Sequence, residues 1–138
     1  MLTYCTLKPA CNQVQLHPKC CQPDLLRFLF DKGILPVGYS PLGKLGLSSG
    51  AANIVDDPLV VQMAEKYGKE PVQIVLNWGL CRGYPVIPRS TQLKNQVTNL
   101  GAVNFKMSAE DVKAVAQKLD CNLHLFIAPE ENPYNLFA

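Results

Sequence analysis

Basic residues never adjoin in this chain: its 13 Lys and Arg are scattered singly, against 11 Asp and Glu, for a net charge of +2. A charge so small and dispersed does not argue for nucleic acid or an anionic membrane as a partner. Long apolar runs are missing too. No segment approaches the ~18 to 20 residues a membrane-spanning helix needs. The opening "MLTYCTLKPACNQ" is broken by Lys8 and Pro9 before an apolar run could act as a signal peptide. None of the six cysteines (Cys5, Cys11, Cys20, Cys21, Cys81, Cys121) forms a C-x-x-C pair, so no metal site is expected. Six reduced thiols in a cytoplasmic protein are expected instead. Low charge does not mean disorder here: 48% hydrophobic and 17% charged residues, in 138, suit one globular domain with a real core.

What is present is an alternation of short strand-like runs with longer helical ones, the pattern of parallel β/α units. "ACNQVQL" at 10–16 predicts a strand with Val14 and Leu16 on one side, Gln13 and Gln15 on the other. "QPDLLRFLFDKG" predicts a helix, with Pro23 and Asp24 in its first turn and Gly33 at its stop. "ILPVGY" at 34–39 predicts a second strand, and Pro36 within it removes a ladder donor, so an edge or bulge is expected there. The Gly-, Ser- and Ala-rich loop at 41–56 is a candidate binding lid. Helices are predicted from Asp57-Pro58 to Tyr67, from Pro71 to Cys81, and over 92–100, with a short strand "PVIP" at 85–88 between the last two. Ser108 caps a final helix, with Met107 and Val112 placed to form a hydrophobic staple. The tail from Cys121 to Ala138 has no clear period, and the chain has no internal repeat.

In parallel β/α folds ligands gather at the carboxyl ends of the strands, where Gln13, Tyr39 and Arg89 are expected to fall. Tyr39 is either an aromatic buried beneath a loop or a flat platform for a planar ligand. The stretch after it offers backbone N–H groups at Ser40, Leu42 and Gly43. In "IPRST" at 87–91, Arg89 precedes a helix start and could grip a phosphate with two hydrogen bonds; alternatively it is an exposed residue beside a capped helix. Gln13 is either a core amide or the partner of a ligand amide. His17, in "LHPK" with no nearby carboxylate, reads as structural rather than as a base. His124, in the tail, supports no choice.

Taken together, "NQVQLHP" at 12–18, "GYSPLGKLGL" at 38–47, "EKYGKEPVQIVLNWGLCRG" at 65–83 and "VIPRST" at 86–91 resemble the aldo-keto reductases in order and spacing, from about residue 8 to the end. The tail is most similar to that of xylose reductases and plant aldose-6-phosphate reductases. The resemblance implies the C-terminal part of a (β/α)8 TIM barrel, with about three parallel strands, so that 1–138 is one incomplete barrel domain. It implies NADP(H) as cofactor. Tyr39 would stack on the nicotinamide and Gln13 would bond its carboxamide. Ser40, Leu42 and Gly43 would cradle the pyrophosphate. Ile87, Pro88, Arg89 and Ser90 would form the phosphate turn, with Asn99 at the adenine.

Two positions depart from the family pattern. Arg89 stands where a Lys is usual, and Asn95 where a second Arg is usual, which leaves NAD(H) as the alternative cofactor; Lys94 is placed to compensate in part. The family's catalytic Asp, Tyr, Lys and His have no counterpart here, so no catalytic residue is assigned. The leading expectation is therefore the cofactor-binding portion of a reductase of aldehydes and ketones, not catalytic alone. It would meet a carbonyl substrate only when the rest of the barrel is supplied. The alternatives are a non-catalytic nucleotide-binding or interaction module and a barrel that binds another phosphate ligand. Three strands cannot close a barrel, so self-association through open sheet edges is also expected.

Overall fold

Three short strands, β1 (Cys11–Gln15), β2 (Leu35–Tyr39) and β3 (Val86–Ile87), make one parallel sheet in that order. The computed structural model describes residues 2–43 and 53–119. The central part of the expected lid, Cys121 and the rest of the tail, and His124 lie outside the described residues. Parallel register aligns Gln13 with Val37, Gln15 with Tyr39, and Tyr39 with Ile87. Side-chain alternation then sorts the sheet into two faces. Val14, Leu16, Gly38 and Val86 turn toward the helices and join the core. Leu35, Tyr39 and Ile87 turn the other way and stay 46%, 36% and 45% exposed.

Pro36 lies in the middle strand, yet its local setting is an edge. Leu35 donates to Ala10 on the β1 side and Gly38 donates to Pro85 on the β3 side. By alternation the nitrogen of residue 36 faces the β3 side, where pairing begins only at Gly38. A missing N–H therefore costs no ladder bond there.

Each helix starts and stops by local chemistry. Proline opens α1 (Pro23–Asp31), α2 (Pro58–Tyr67) and α3 (Pro71–Cys81), where its absent N–H would have had no helical partner. At α2 the Asp57 carboxylate accepts from the Leu59 N–H at 2.9 Å, and Gly68 (φ 60°) closes the helix. α4 (Leu93–Leu100) runs into a short 3-10 turn, Gly101–Val103. α5 (Ala109–Lys118) begins at the expected cap, with Ser108 Oγ accepting from the Asp111 N–H at 3.1 Å. Met107 and Val112 both join the core, as the expected staple requires.

α3 is the buried centre of this layer. It touches α2, α4, α5 and β3, and Ile74, Val75, Leu76 and Trp78 are almost wholly buried. Gly79 lets it approach the sheet: a Cβ there would lie 2.8 Å from Val86 Cγ1 and 3.1 Å from Tyr84 Cε2. Two polar side chains of α3 anchor the C-terminal segments against it. Trp78 Nε1 donates to the Val112 carbonyl at 3.0 Å. Asn77 Nδ2 donates to the carbonyls of Ala102 (2.8 Å) and Phe105 (2.7 Å), while its oxygen accepts from the Met107 N–H at 3.0 Å. This one amide thereby satisfies the backbone of the α4–α5 connection.

Among the described cysteines, Cys5, Cys11, Cys20 and Cys81 are free thiols. Cys21 is disulfide-bonded, which corrects the expectation of six reduced thiols. No helix among the described residues is long and apolar enough to cross a membrane, and no group of three or more His, Cys, Asp or Glu among them could hold a metal.

Truncating Asn77 strands three backbone groups in a buried layer. Asn77→Ala is expected to lower unfolding free energy by about 2 to 3 kcal/mol, read from denaturant melts. α2 and α5 are joined by Asp111, which accepts from Lys66 Nζ at 2.7 and 2.9 Å and from the Tyr67 hydroxyl. Those bonds hold the Asp111 carboxyl below its usual range. Its contribution is thus complete above the unfolded carboxylate value near pH 4 and fades as pH falls through the lower folded value. Asp111→Asn is expected to flatten the acid limb of a stability–pH profile.

Candidate functional site

The site grows from the carboxyl-end rung of the sheet, Gln15–Tyr39–Ile87. All three strands leave the sheet just beyond it, so the turns at their ends share one rim. Tyr39 stands on the uncovered face, half-exposed. Burial, and after it the neighbouring Cys20 sulfur, raises its phenol above the ordinary value, so the ring is neutral near pH 7. Gln13 lies on that same exposed face, one rung deeper and in mid-strand rather than at the carboxyl end.

Ser40 leaves β2 with φ 47°, a left-handed conformation that costs a non-glycine residue energy and aims the chain sharply away from the strand. The turn closes when Gly43 (φ 67°) donates its N–H to the Ser40 carbonyl at 2.9 Å. This modifies the expected cradle. The Gly43 N–H is committed inside the turn, so Gly43 shapes the loop while Leu42, buried, points into the site.

On the β3 side, Ser90 Oγ accepts from the Gln92 N–H at 3.1 Å, and the Ser90 carbonyl accepts from Gln96 Nε2 at 3.0 Å. These bonds set the entry to α4. Arg89 precedes that entry, exposed and outside both ion pairs found among the described residues. A polar cavity of about 300 Å³ opens between Arg89, Ser90, Thr91, Gln92 and Asn95. A smaller one of about 150 Å³ is lined by Leu42, Val72, Asn95, Thr98 and Asn99; Arg89 and Ser90 line both. Positions 95, 98 and 99 are i, i+3 and i+4 of α4, one face of the helix.

The structure thus brings Leu42, Arg89, Ser90 and Asn99 together in one cleft, with Tyr39 at the head of the same rim. Ile87 lies beside Tyr39 on the open face. Pro88 lines a separate apolar cavity of about 290 Å³ with Leu76, Leu80 and Leu100, which Asn99 also borders. Lys94 is exposed and lines neither part of the cleft, and Asn95 donates to Gln92 Oε1 at 3.3 Å. Val72 and Thr98 are additions the sequence reading missed. The i, i+3 spacing from Asn95 could have signalled Thr98; nothing local signals Val72.

His17 lines neither part of the cleft and instead holds the turn after β1. Its Nδ1 accepts from the Lys19 N–H at 3.2 Å, and its Nε2 lies 2.8 Å from the Gln15 amide. Both nitrogens are engaged in holding the turn that closes through the His17–Cys20 bridge. His17 is structural, as its sequence context indicated.

A parallel run of β/α units with its ligand-sized cleft at the strand ends is an arc of a (β/α)8 barrel, here with the sheet open. A solved aldose reductase from Schistosoma japonicum superposes on 94% of the chain with a TM-score of 0.83 and 25% identity, and 40% of that protein is covered. The family model of the aldo/keto reductases matches residues 3–120, and this chain belongs to that family. An NADP-dependent D-sorbitol-6-phosphate dehydrogenase from Malus domestica is 35% identical over 117 residues, covering 83% of this chain and 38% of the relative. An NADH-dependent D-xylose reductase from Candida parapsilosis is 34% identical over 126 residues, with coverages of 86% and 39%. The chain spans about two fifths of the length of these relatives.

Since the His17 ring is engaged in its own turn, His17→Ala is expected to lower the melting temperature in a thermal melt.

Proposed function

We propose that this chain is the cofactor-binding, C-terminal portion of a nicotinamide-dependent aldo-keto reductase, and that it binds and orients the dinucleotide without catalysing its reaction alone. One observation carries this reading: Tyr39 and Ile87 are register partners, and Arg89 lies two residues beyond Ile87, so an aromatic platform and a guanidinium outside the ion pairs found among the described residues share one rim. The donor set fits such a cofactor. Arg89 and the Ser90 backbone at the mouth suit a phosphate, and the half-apolar inner cavity between Leu42, Val72 and Asn99 suits an adenine edge.

In this reading the Tyr39 ring supports one face of the nicotinamide, and Gln13, below it on the same face, meets the carboxamide. Ser40 and Leu42 flank the pyrophosphate. When bound, the cofactor supplies a hydride for an aldehyde or ketone carbon. The proton for the carbonyl oxygen comes from an acid outside this chain, because Tyr39 is occupied as a platform. One cation at the phosphate turn favours NADP(H), as in the Malus relative. The neutral amide of Asn95, bonded to Gln92, makes NAD(H) the second cofactor, as in the Candida relative.

The exposed sheet face at Leu35, Tyr39 and Ile87 favours a chain that works with further β/α units, or that self-associates through its sheet edges. No nucleic acid or membrane partner enters this reading, and the cytoplasm is its expected location.

Losing a charged hydrogen bond costs about 1.5 to 3 kcal/mol, so Arg89→Ala is expected to weaken 2′,5′-ADP binding about ten- to a hundredfold in calorimetric titration. Failure of the folded parent chain to bind any of 2′,5′-ADP, NADPH and NADH would end this reading. Aldehyde-dependent NADPH oxidation by the chain alone would refute its non-catalytic half.

A further inference from the structure

We propose that Gln73 is a positioning residue for the adenosine wall of the cleft, holding Thr98 and, through the backbone, Asn99 in place. The inference rests on the nucleotide reading above. Both ends of the Gln73 amide are committed. Its Oε1 accepts from the Glu70 N–H at 3.0 Å, closing the first turn of α3. Its Nε2 donates to the Thr98 carbonyl at 3.0 Å, across 25 residues of sequence. That carbonyl is among the last four of α4, which have no partner within the helix. Gln73 thus joins the start of one helix to the end of another, and its chain neighbour Val72 lines the same cavity as Thr98 and Asn99.

The link matters because α4 has little else to hold it. None of its residues is buried, and Leu93, Val97 and Leu100 are 74%, 64% and 70% exposed. A helix without a packed apolar face takes its place from its polar ties. At the entry these are the Gln96–Ser90 and Ser90–Gln92 bonds, and beyond its end the Asn77–Ala102 bond. The Gln73–Thr98 bond is the tie made at Thr98, a lining residue of the smaller cavity.

Gly101 shows how closely the amide is seated. An added Cβ there would lie 2.4 Å from Gln73 Nε2. The backbone of Gly101 is ordinary (φ −61°, ψ −13°), so this glycine provides room for the amide rather than an unusual turn.

Two substitutions reach this amide from opposite sides. Gln73→Glu keeps an oxygen for the Glu70 N–H but replaces the donor facing Thr98 with an acceptor. Gly101→Ala leaves Gln73 chemically intact and places a methyl group where its amide lies, with no change of charge. The full chain and both variants are titrated calorimetrically with 2′,5′-ADP and with inorganic phosphate, alongside thermal melts. Both variants are expected to bind 2′,5′-ADP about two- to tenfold more weakly, the worth of one neutral hydrogen bond. Gly101→Ala is expected to keep its phosphate affinity and its cooperative melt. The ratio of the two affinities is the readout that a purely structural role would not move. A Gly101→Ala chain with the parental ratio overturns the positioning role while leaving the nucleotide reading intact. A folded parent chain that binds neither 2′,5′-ADP nor NADH overturns both.

Discussion

Parallel pairing of three short strands is the constraint on which the rest depends. Strands that run the same way end on the same side, and the shared rung Gln15–Tyr39–Ile87 makes three sequence-distant exits converge. Each exit then bends by its own device: a histidine-held turn after β1, a left-handed serine and a glycine-closed turn after β2, a hydroxyl-capped turn after β3. Without the common rung those devices would be scattered over the surface. With it, an aromatic ring, a turn and an arginine follow the ends of neighbouring strands.

The second determinant is α3, which is apolar enough to be buried and carries amides at the two places where burial alone would not suffice. Ile74, Val75, Leu76 and Trp78 supply the core contact, and Gly79 lets the helix approach Tyr84 and Val86. Asn77 and Gln73 supply direction. Hydrophobic contact is indifferent to rotation and sliding, whereas an amide between two carbonyls and an N–H fixes both. The connection from α4 to α5 is held in this way, and so is the inner wall of the cleft.

Much of this was legible in the sequence because its cause is local. Proline at a helix start, Gly68 at a helix stop, Ser108 as a cap and the alternation in β1 act within a few residues of themselves. The resemblance to the aldo-keto reductases then grouped Leu42, Arg89, Ser90 and Asn99, and these four line one cavity. What escaped the reading has partners far along the chain. Gln13 and Gln15 share a face and a residue type, yet one is exposed and the other is buried against His17. The N–H of Gly43 was expected to face a ligand and is instead committed to Ser40.

The amino-acid sequence by itself determined the element types, their limits, the family and the identity of the residues at the rim, since propensities, caps and motifs need only neighbours to act. Only tertiary structure decided which polar groups remain available. Whether an amide or N–H is free depends on what lies across space from it, and the contacts that settle this, from Gln73 to Thr98 and from Asn77 to Ala102, join residues 25 apart in the chain.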